Sequence, residues 1–442
     1  MQRKKENILI RNVTIIPMAE TQDKIQQNKD IFIKNGRIEW VKNAENKNIE
    51  ELQQKEKLDK IIDGTGKVLI PGFVNAHCHI PMSIFRDTLE GYTLQKWLTE
   101  KIWPVEDNLS NEDIYNASML SFIEMIKTGT TTVCDQYFKS ENTIKAGLEF
   151  GIRMESTRVL IDVANDADTR AEELENLIKE YNNKYEEIGI NVAIHGLYTT
   201  GEQTVQKGVE IAKKYNIPVQ LHFCENKEEV EDIKKMHNVQ YPGEALTKYF
   251  KDVKTILAHT VKLEQNDMDK IKEINASIVH CPVSNLKLGC GIAKIEQMRK
   301  MGINIALGTD GQGSGSNLDM FETMKFACLL QKGDAEDPKV MSSYETLKMA
   351  TIGGAKALGL EDKIGSIEIG KCADIILIDL NSPTTMPVND VVSDIVMNAK
   401  GTNVETVIIN GKVVMENRVI NGIDESKIFE NCEKIANKSF GA

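Results

Sequence analysis

Apolar positions change rhythm twice along the chain. From residue 7 to residue 66 they come as short clusters rich in Ile, Val and aromatic residues, at 7–17, 31–42 and 60–66, which read as strands. Asn35-Gly36 lies inside the second cluster, and because both residues tolerate positive φ a hairpin turn is expected there. The charged stretch Asn43–Lys57 reads as an exposed loop or short helix. Residues 373–380 and 405–422 show the same strand-rich texture, the latter folded at Asn410-Gly411. Two flanks of one style around a different middle predict one small β domain built from both chain ends.

The middle alternates short apolar runs with longer helical stretches such as Asn111–Thr128, Arg170–Ile188 and Glu202–Tyr215. Strand candidates fall at 68–79, 130–135, 153–160, 191–198, 218–225, 255–261, 276–282 and 303–310. Eight strand-then-helix units over about 250 residues match the size of an α/β (β/α)₈ barrel, a fold whose chemistry gathers at the C-terminal ends of the strands.

Composition narrows the function classes. The 442 residues are 41% hydrophobic and 27% charged, with no apolar run long enough for a membrane span, so no membrane partner is expected. The basic start Met1–Lys5 is followed by too short an apolar stretch for a signal peptide, which points to the cytoplasm. A net charge of −12 argues against nucleic acid, and the sequence leaves a homo-oligomer open. The eight cysteines show no Cys-x-x-Cys spacing; Cys78, Cys134, Cys224 and Cys281 sit in apolar runs and read as small buried hydrophobes.

The seven histidines carry the most information. His77 and His79 end the first candidate strand, and with alternating side chains both imidazoles face one space. His195, His222, His259 and His280 end or lie on the fourth, fifth, sixth and seventh strands; the eighth delivers Asp310, and only His237 falls elsewhere. Six histidines and an aspartate are thus expected at one barrel mouth. A mononuclear metal site needs about three protein ligands and an open position. His77, His79, His222 and Asp310 supply three imidazoles and a carboxylate, a set that suits Zn²⁺, Fe²⁺ or Mn²⁺. Glu225, three residues past His222, falls where a proton carrier would stand, and His259 where it can orient a water or a developing oxyanion.

Four segments carry a family resemblance: Pro71-Gly72-Phe73-Val74-Asn75-Ala76-His77-Cys78-His79, Leu221-His222-Phe223-Cys224-Glu225, His280-Cys281-Pro282-Val283-Ser284-Asn285 and Gly308-Thr309-Asp310-Gly311. The chain resembles the amidohydrolase superfamily, and within it the nucleobase and nucleoside deaminases. The resemblance implies a barrel of residues 67–365 and a composite β-sandwich of residues 1–66 and 366–442. It implies a single divalent metal, zinc first, because His195 rather than a lysine ends the fourth strand. Segments 94–106 and 125–135 resemble the 5′-methylthioadenosine/S-adenosylhomocysteine deaminases. That subgroup implies two arginines twelve positions apart for the substrate carboxylate, here Arg158 and Arg170, and two nucleoside contacts, here His195 and Glu106. Paired guanidinium forks suit a carboxylate, and a carboxylate suits ribose hydroxyls. Ala193–Tyr198 and Gly311–Asn317 depart from the subgroup's usual residues near the expected pocket.

The implied activity is hydrolytic deamination of an adenosine-type nucleoside to the inosine analogue and ammonia. Asp310 and Glu225 would move protons, Glu225 also touching the base, and His259 would hold the attacking oxygen. The alternative is another hydrolase on the same scaffold, acting on guanine, a pterin, cytosine or a triazine.

Overall fold

The computed structural model describes residues 4–19, 25–44, 49–88, 90–162 and 166–441. Eight parallel strands form the middle of the molecule: Phe73–Cys78, Thr130–Asp135, Arg153–Ser156, Val192–Gly196, Val219–Phe223, Thr255–His259, Ser277–His280 and Ile305–Leu307. The first three pair with a short extra piece, Ile188–Ile190, as a four-stranded sheet, and the other five form a second sheet. The sheets join at both seams. Leu160 N–H donates to Ala193 O at 2.8 Å, His195 N–H returns to Leu160 O at 2.9 Å, and Asp310 N–H donates to His77 O at 3.1 Å. A closed α/β barrel results, and the last of these bonds already brings two expected ligands together.

The structure shortens several expected strands. The third ends at Ser156, with Leu160 resuming the pairing as a single bridge, and the fourth is preceded by a separate piece, Ile188–Ile190. The helices follow local rules. Asn111–Lys127 opens on a capping box in which Ser110 and Asp113 exchange side-chain-to-backbone bonds, and Lys227–His237 is capped by Asn226. Glu202–Tyr215 has its expected bounds, whereas the helix expected at 170–188 runs Ala167–Tyr181. A helix Ile49–Glu56 lies within the charged stretch, whose residues 45–48 fall outside the described residues.

Both chain ends build one nine-stranded sheet. Its halves meet where Ile375–Asp379 pairs antiparallel with Lys67–Pro71, Leu377 opposite Leu69. Both expected turns are present, with φ of +53° and +85° at Asn35-Gly36 and +51° and +69° at Asn410-Gly411. The expected single strand 68–79 is therefore two strands broken at Gly72, the first in the terminal sheet and the second in the barrel. Packing explains the break. Val68 and Ile70 join the main core while Leu69 joins a separate core with Ile8, Ile10, Ile375 and Leu377, so alternate residues serve the sheet's two faces. At Gly72 itself a Cβ would sit 2.1 Å from Thr131 Oγ1, so the crossing requires glycine.

Candidate active site and metal centre

The C-terminal ends of the strands converge with backbone strain. Cys224, His259, Thr260 and Asp310 all have left-handed φ, between +51° and +72°, a conformation that costs non-glycine residues about 1–3 kcal/mol each and collects at functional sites. Asn75 ties the first strand to the eighth beneath the mouth: its Nδ2 donates to Thr309 Oγ1 at 2.7 Å, and Thr309 N–H donates to its Oδ1 at 3.1 Å.

Three imidazoles and one carboxylate face one point. The His77 ring centroid lies 5.0 Å from those of both His79 and His222. Asp310 Oδ1 lies 3.1 Å from His79 Nε2 and 3.7 Å from His77 Nε2. Backbone carbonyls set two of the tautomers. His79 Nδ1 donates to Gln136 O at 2.6 Å and His222 Nδ1 to His195 O at 2.7 Å, so in the neutral rings, the form that binds a metal, the lone pair sits on Nε2. His77 Nε2 is buried with no hydrogen-bond partner. Donor atoms of His77, His79 and His222, and likewise of His77, His259 and Asp310, lie within 4.8 Å of one another.

The electrostatics favour a cation here. Burial alone would raise the Asp310 carboxyl, but the His79 hydrogen bond and the neighbouring imidazoles hold it well below the usual carboxylate range. Its Oδ2 accepts from Ser284 Oγ at 2.5 Å and Ser314 Oγ at 2.7 Å, leaving Oδ1 toward the imidazoles. An orphaned imidazole nitrogen, two lone pairs fixed outward and an anionic oxygen fit a divalent ion with an open position.

Beside this cluster stand the two further groups expected for proton work. Glu225 Oε2 lies 3.8 Å from His259 Nε2, and burial raises the Glu225 carboxyl against the pull of His259. His259 Nδ1 donates to Asn285 Oδ1 at 2.9 Å, which points Nε2 at the cluster. A cavity opens over these groups. His79, His195, His222, Glu225, His259 and Asp310 line its floor, and Trp97, Trp103, Tyr137, Phe138 and Leu288 line its walls.

The amidohydrolase family profile matches residues 68–414. The chain belongs to the amidohydrolase family. A 5-methylthioadenosine/S-adenosylhomocysteine deaminase of Thermoanaerobacter pseudethanolicus is 41% identical over 439 residues, covering 97% of this chain and 98% of its own. A 5′-deoxyadenosine deaminase of Methanobrevibacter smithii is 40% identical over 382 residues, covering 85% of this chain and 88% of its own. The crystal structure of an adenosine deaminase from Xanthomonas campestris with bound zinc superposes with a TM-score of 0.91 at 29% identity, over 100% of both chains.

In this amidohydrolase the remaining expected residues divide. Glu106 and His195 line the cavity. Burial raises the Glu106 carboxyl to about 7, with the Tyr137 hydroxyl nearby opposing the shift, and burial then His79 lower His195 to about 3, so its imidazole is neutral. Arg158 and Arg170 do not line the cavity. Arg158 Nε pairs with Glu173 Oε2 at 2.6 Å and Arg170 Nε with Asp166 Oδ1 at 2.7 Å. The Arg170 guanidinium lies 5.7 Å from the centroid of the Phe138 ring, which does line the cavity. His280 ends the seventh strand as expected, but both its ring nitrogens are buried without hydrogen bonds and it lies outside the cavity lining.

Several residues of the site have no role in the sequence reading. Gln136, Ser284, Asn285 and Ser314 orient the histidines and Asp310, and Ser284 and Asn285 lie in the segment 280–285 that carried the resemblance. That segment was the available signal for them. Gln136 acts through its backbone carbonyl, which no residue type announces.

Proposed function

We propose that the protein hydrolytically deaminates an adenosine-type nucleoside, such as 5′-methylthioadenosine, S-adenosylhomocysteine or adenosine, to the inosine analogue and ammonia. One observation carries the reading: the His77, His79, His222 and Asp310 cluster opens into an aromatic-walled cavity floored by Glu225 and His259. The relatives named for deamination of such nucleosides, alike over nearly the whole chain, support it.

His77, His79, His222 and Asp310 would hold one divalent ion, which we take to be zinc on the N/O donor set and the zinc-bound structural relative. When bound, the ion supplies Lewis acidity that makes water nucleophilic near neutral pH. Asp310, held anionic by its imidazole neighbours, accepts a proton from the attacking water and later delivers it to the leaving amine. Glu225 protonates ring N1 as C6 becomes tetrahedral, a task suited to a carboxyl whose affinity for a proton burial has raised. His259, raised against burial by Glu225 and Asp310 toward the doubly protonated form, donates a hydrogen bond from Nε2 to the attacking oxygen while Nδ1 stays on Asn285. Glu106 and His195 contact the nucleoside. Arg158 and Arg170 receive the carboxylate of an amino-acid tail, which must displace Glu173 and Asp166 to reach them.

We divide the chain into a composite β-sandwich, 1–66 and 366–442, and a barrel, 67–365; the pairing of Lys67–Pro71 with the terminal sheet supports moving that boundary to just after Pro71. Among the described residues no helix is long and apolar enough to cross a membrane. All eight cysteines are free, and we place the enzyme in the cytoplasm. An ammonia-release screen over adenosine, 5′-deoxyadenosine, 5′-methylthioadenosine and S-adenosylhomocysteine, with guanine, a pterin and cytosine alongside, tests the function. Release from the nucleosides supports it; release only from a free base overturns it.

A further inference from the structure

The Glu225 carboxylate does not rest on contacts with the metal cluster alone. Glu229 lies in the first turn of the helix Lys227–His237, and its own N–H is satisfied by Asn226 Oδ1 at 2.9 Å. Its side chain turns back and is only 1% exposed. Oε1 accepts Cys224 N–H and Oε2 accepts Glu225 N–H, both at 2.7 Å. The residue so held, Cys224, is in the left-handed region at φ +53°, and its carbonyl accepts from Val261 and Lys262 N–H at 3.0 and 2.8 Å. Without these bonds the strained peptide would relax and swing Glu225 away.

A second contact falls on the carboxylate itself. Cys290 lies between two left-handed glycines, Gly289 at φ +70° and Gly291 at φ +109°, and its N–H donates to Asn285 O at 2.8 Å. Its thiol is buried and donates to Glu225 Oε1 with a sulfur–oxygen distance of 3.7 Å. Oε2 is left toward His259 and the cavity. Asn285 therefore orients His259 through its side chain and Cys290 through its carbonyl, so the two groups that flank Glu225 share one anchor. Cys290 and Glu229 are absent from the cavity lining, so neither touches substrate.

We propose that Glu229 and Cys290 are positioning residues for Glu225, Glu229 fixing its backbone and Cys290 fixing which carboxylate oxygen faces the base. The kinetic consequence rests on the deaminase reading; the geometry does not. A proton donor held by two clamps acts in the transition state and adds little to substrate binding, so its loss lowers kcat and spares KM.

Three single variants and one spectroscopic signature test this. In Glu229→Gln an amide NH₂ faces one of the two N–H donors, and kcat falls on the order of 10- to 100-fold with KM within about twofold and bound metal unchanged. Cys290→Ala, the milder change, lowers kcat by roughly 3- to 10-fold, and Cys290→Ser recovers part of the loss. The infrared S–H band isolated by subtracting the Cys290→Ala spectrum from the wild type shifts in Glu225→Gln, because the acceptor changes from a carboxyl to an amide oxygen. An unchanged kcat in Cys290→Ala, or a Cys290 band indifferent to Glu225→Gln, overturns the proposal. Wild-type protein that releases no ammonia from any nucleoside refutes the deaminase reading instead, and the infrared comparison then decides the clamp alone.

Discussion

Glu106 carries a pH signature that its surroundings impose. Burial raises its carboxyl to about 7, so it loses its charge within the neutral range rather than near pH 4.5. In the proposed complex an anionic Glu106 would accept hydrogen bonds from the ribose hydroxyls, and a protonated one would accept poorly. KM for an adenosine nucleoside therefore rises as pH falls through about 7, and the Glu106→Gln variant shows a high KM with no such dependence. Steady-state kinetics on both proteins across the neutral range check this, and parallel KM profiles would remove Glu106 from the nucleoside site. Much of this residue-level detail was open to sequence reading. His77, His79, His222 and Asp310 were legible because each falls at the end of an apolar run, and strand ends share one face of a barrel. Glu229 and Cys290 were not, because what marks them is contact across 4 and 65 positions of chain.

At the level of elements, the barrel depends on close approaches that side-chain pattern does not reveal. The helix Ile352–Leu358 presses on the first and eighth strands through glycines: a Cβ on Gly353 would lie 2.4 Å from Ile305 O, and one on Gly354 would lie 2.7 Å from Val74 Cβ. Gly353→Ala must push the helix off a backbone carbonyl, and a loss of about 1–3 kcal/mol is expected from such overpacking. Thermal unfolding measures it, and an unchanged midpoint would show that the helix has room to shift. The same limit on pattern reading explains the first strand. Residues 68–79 form one apolar run because Val68, Leu69 and Ile70 are buried on both faces of the terminal sheet while the barrel strand is buried throughout. Hydrophobicity cannot divide a segment that is buried on both sides of the division; Gly72 was the mark of the break. The two Asn-Gly turns were legible because their backbone demands those residues.

For the whole molecule, the barrel and the terminal sheet are joined by a buried ion pair. Arg153, on the third barrel strand, places Nε 2.7 Å from Asp374 Oδ2 and Nη2 3.3 Å from Oδ1, and Nη1 donates to Glu186 O at 2.8 Å. Asp374 Oδ1 also accepts Asn410 N–H at 2.7 Å, at the turn between two strands of the terminal sheet. Arg153→Ala strands a buried carboxylate, and denaturant unfolding should register a loss of about 3–5 kcal/mol; a loss below about 1 kcal/mol would mean that water replaces the guanidinium. With the scaffold so fixed, one divalent ion held by His77, His79, His222 and Asp310 and one buried glutamate, Glu225, are proposed to deaminate an adenosine-type nucleoside. The most direct measurement is ammonia release from 5′-methylthioadenosine and adenosine by wild type and Glu225→Gln at matched metal content. About one metal ion per chain is expected in both proteins, with turnover by the wild type and a rate reduced on the order of 100-fold or more in the variant. Equal rates in the two proteins, or no ammonia from any adenosine derivative by metal-replete wild type, would contradict the proposal.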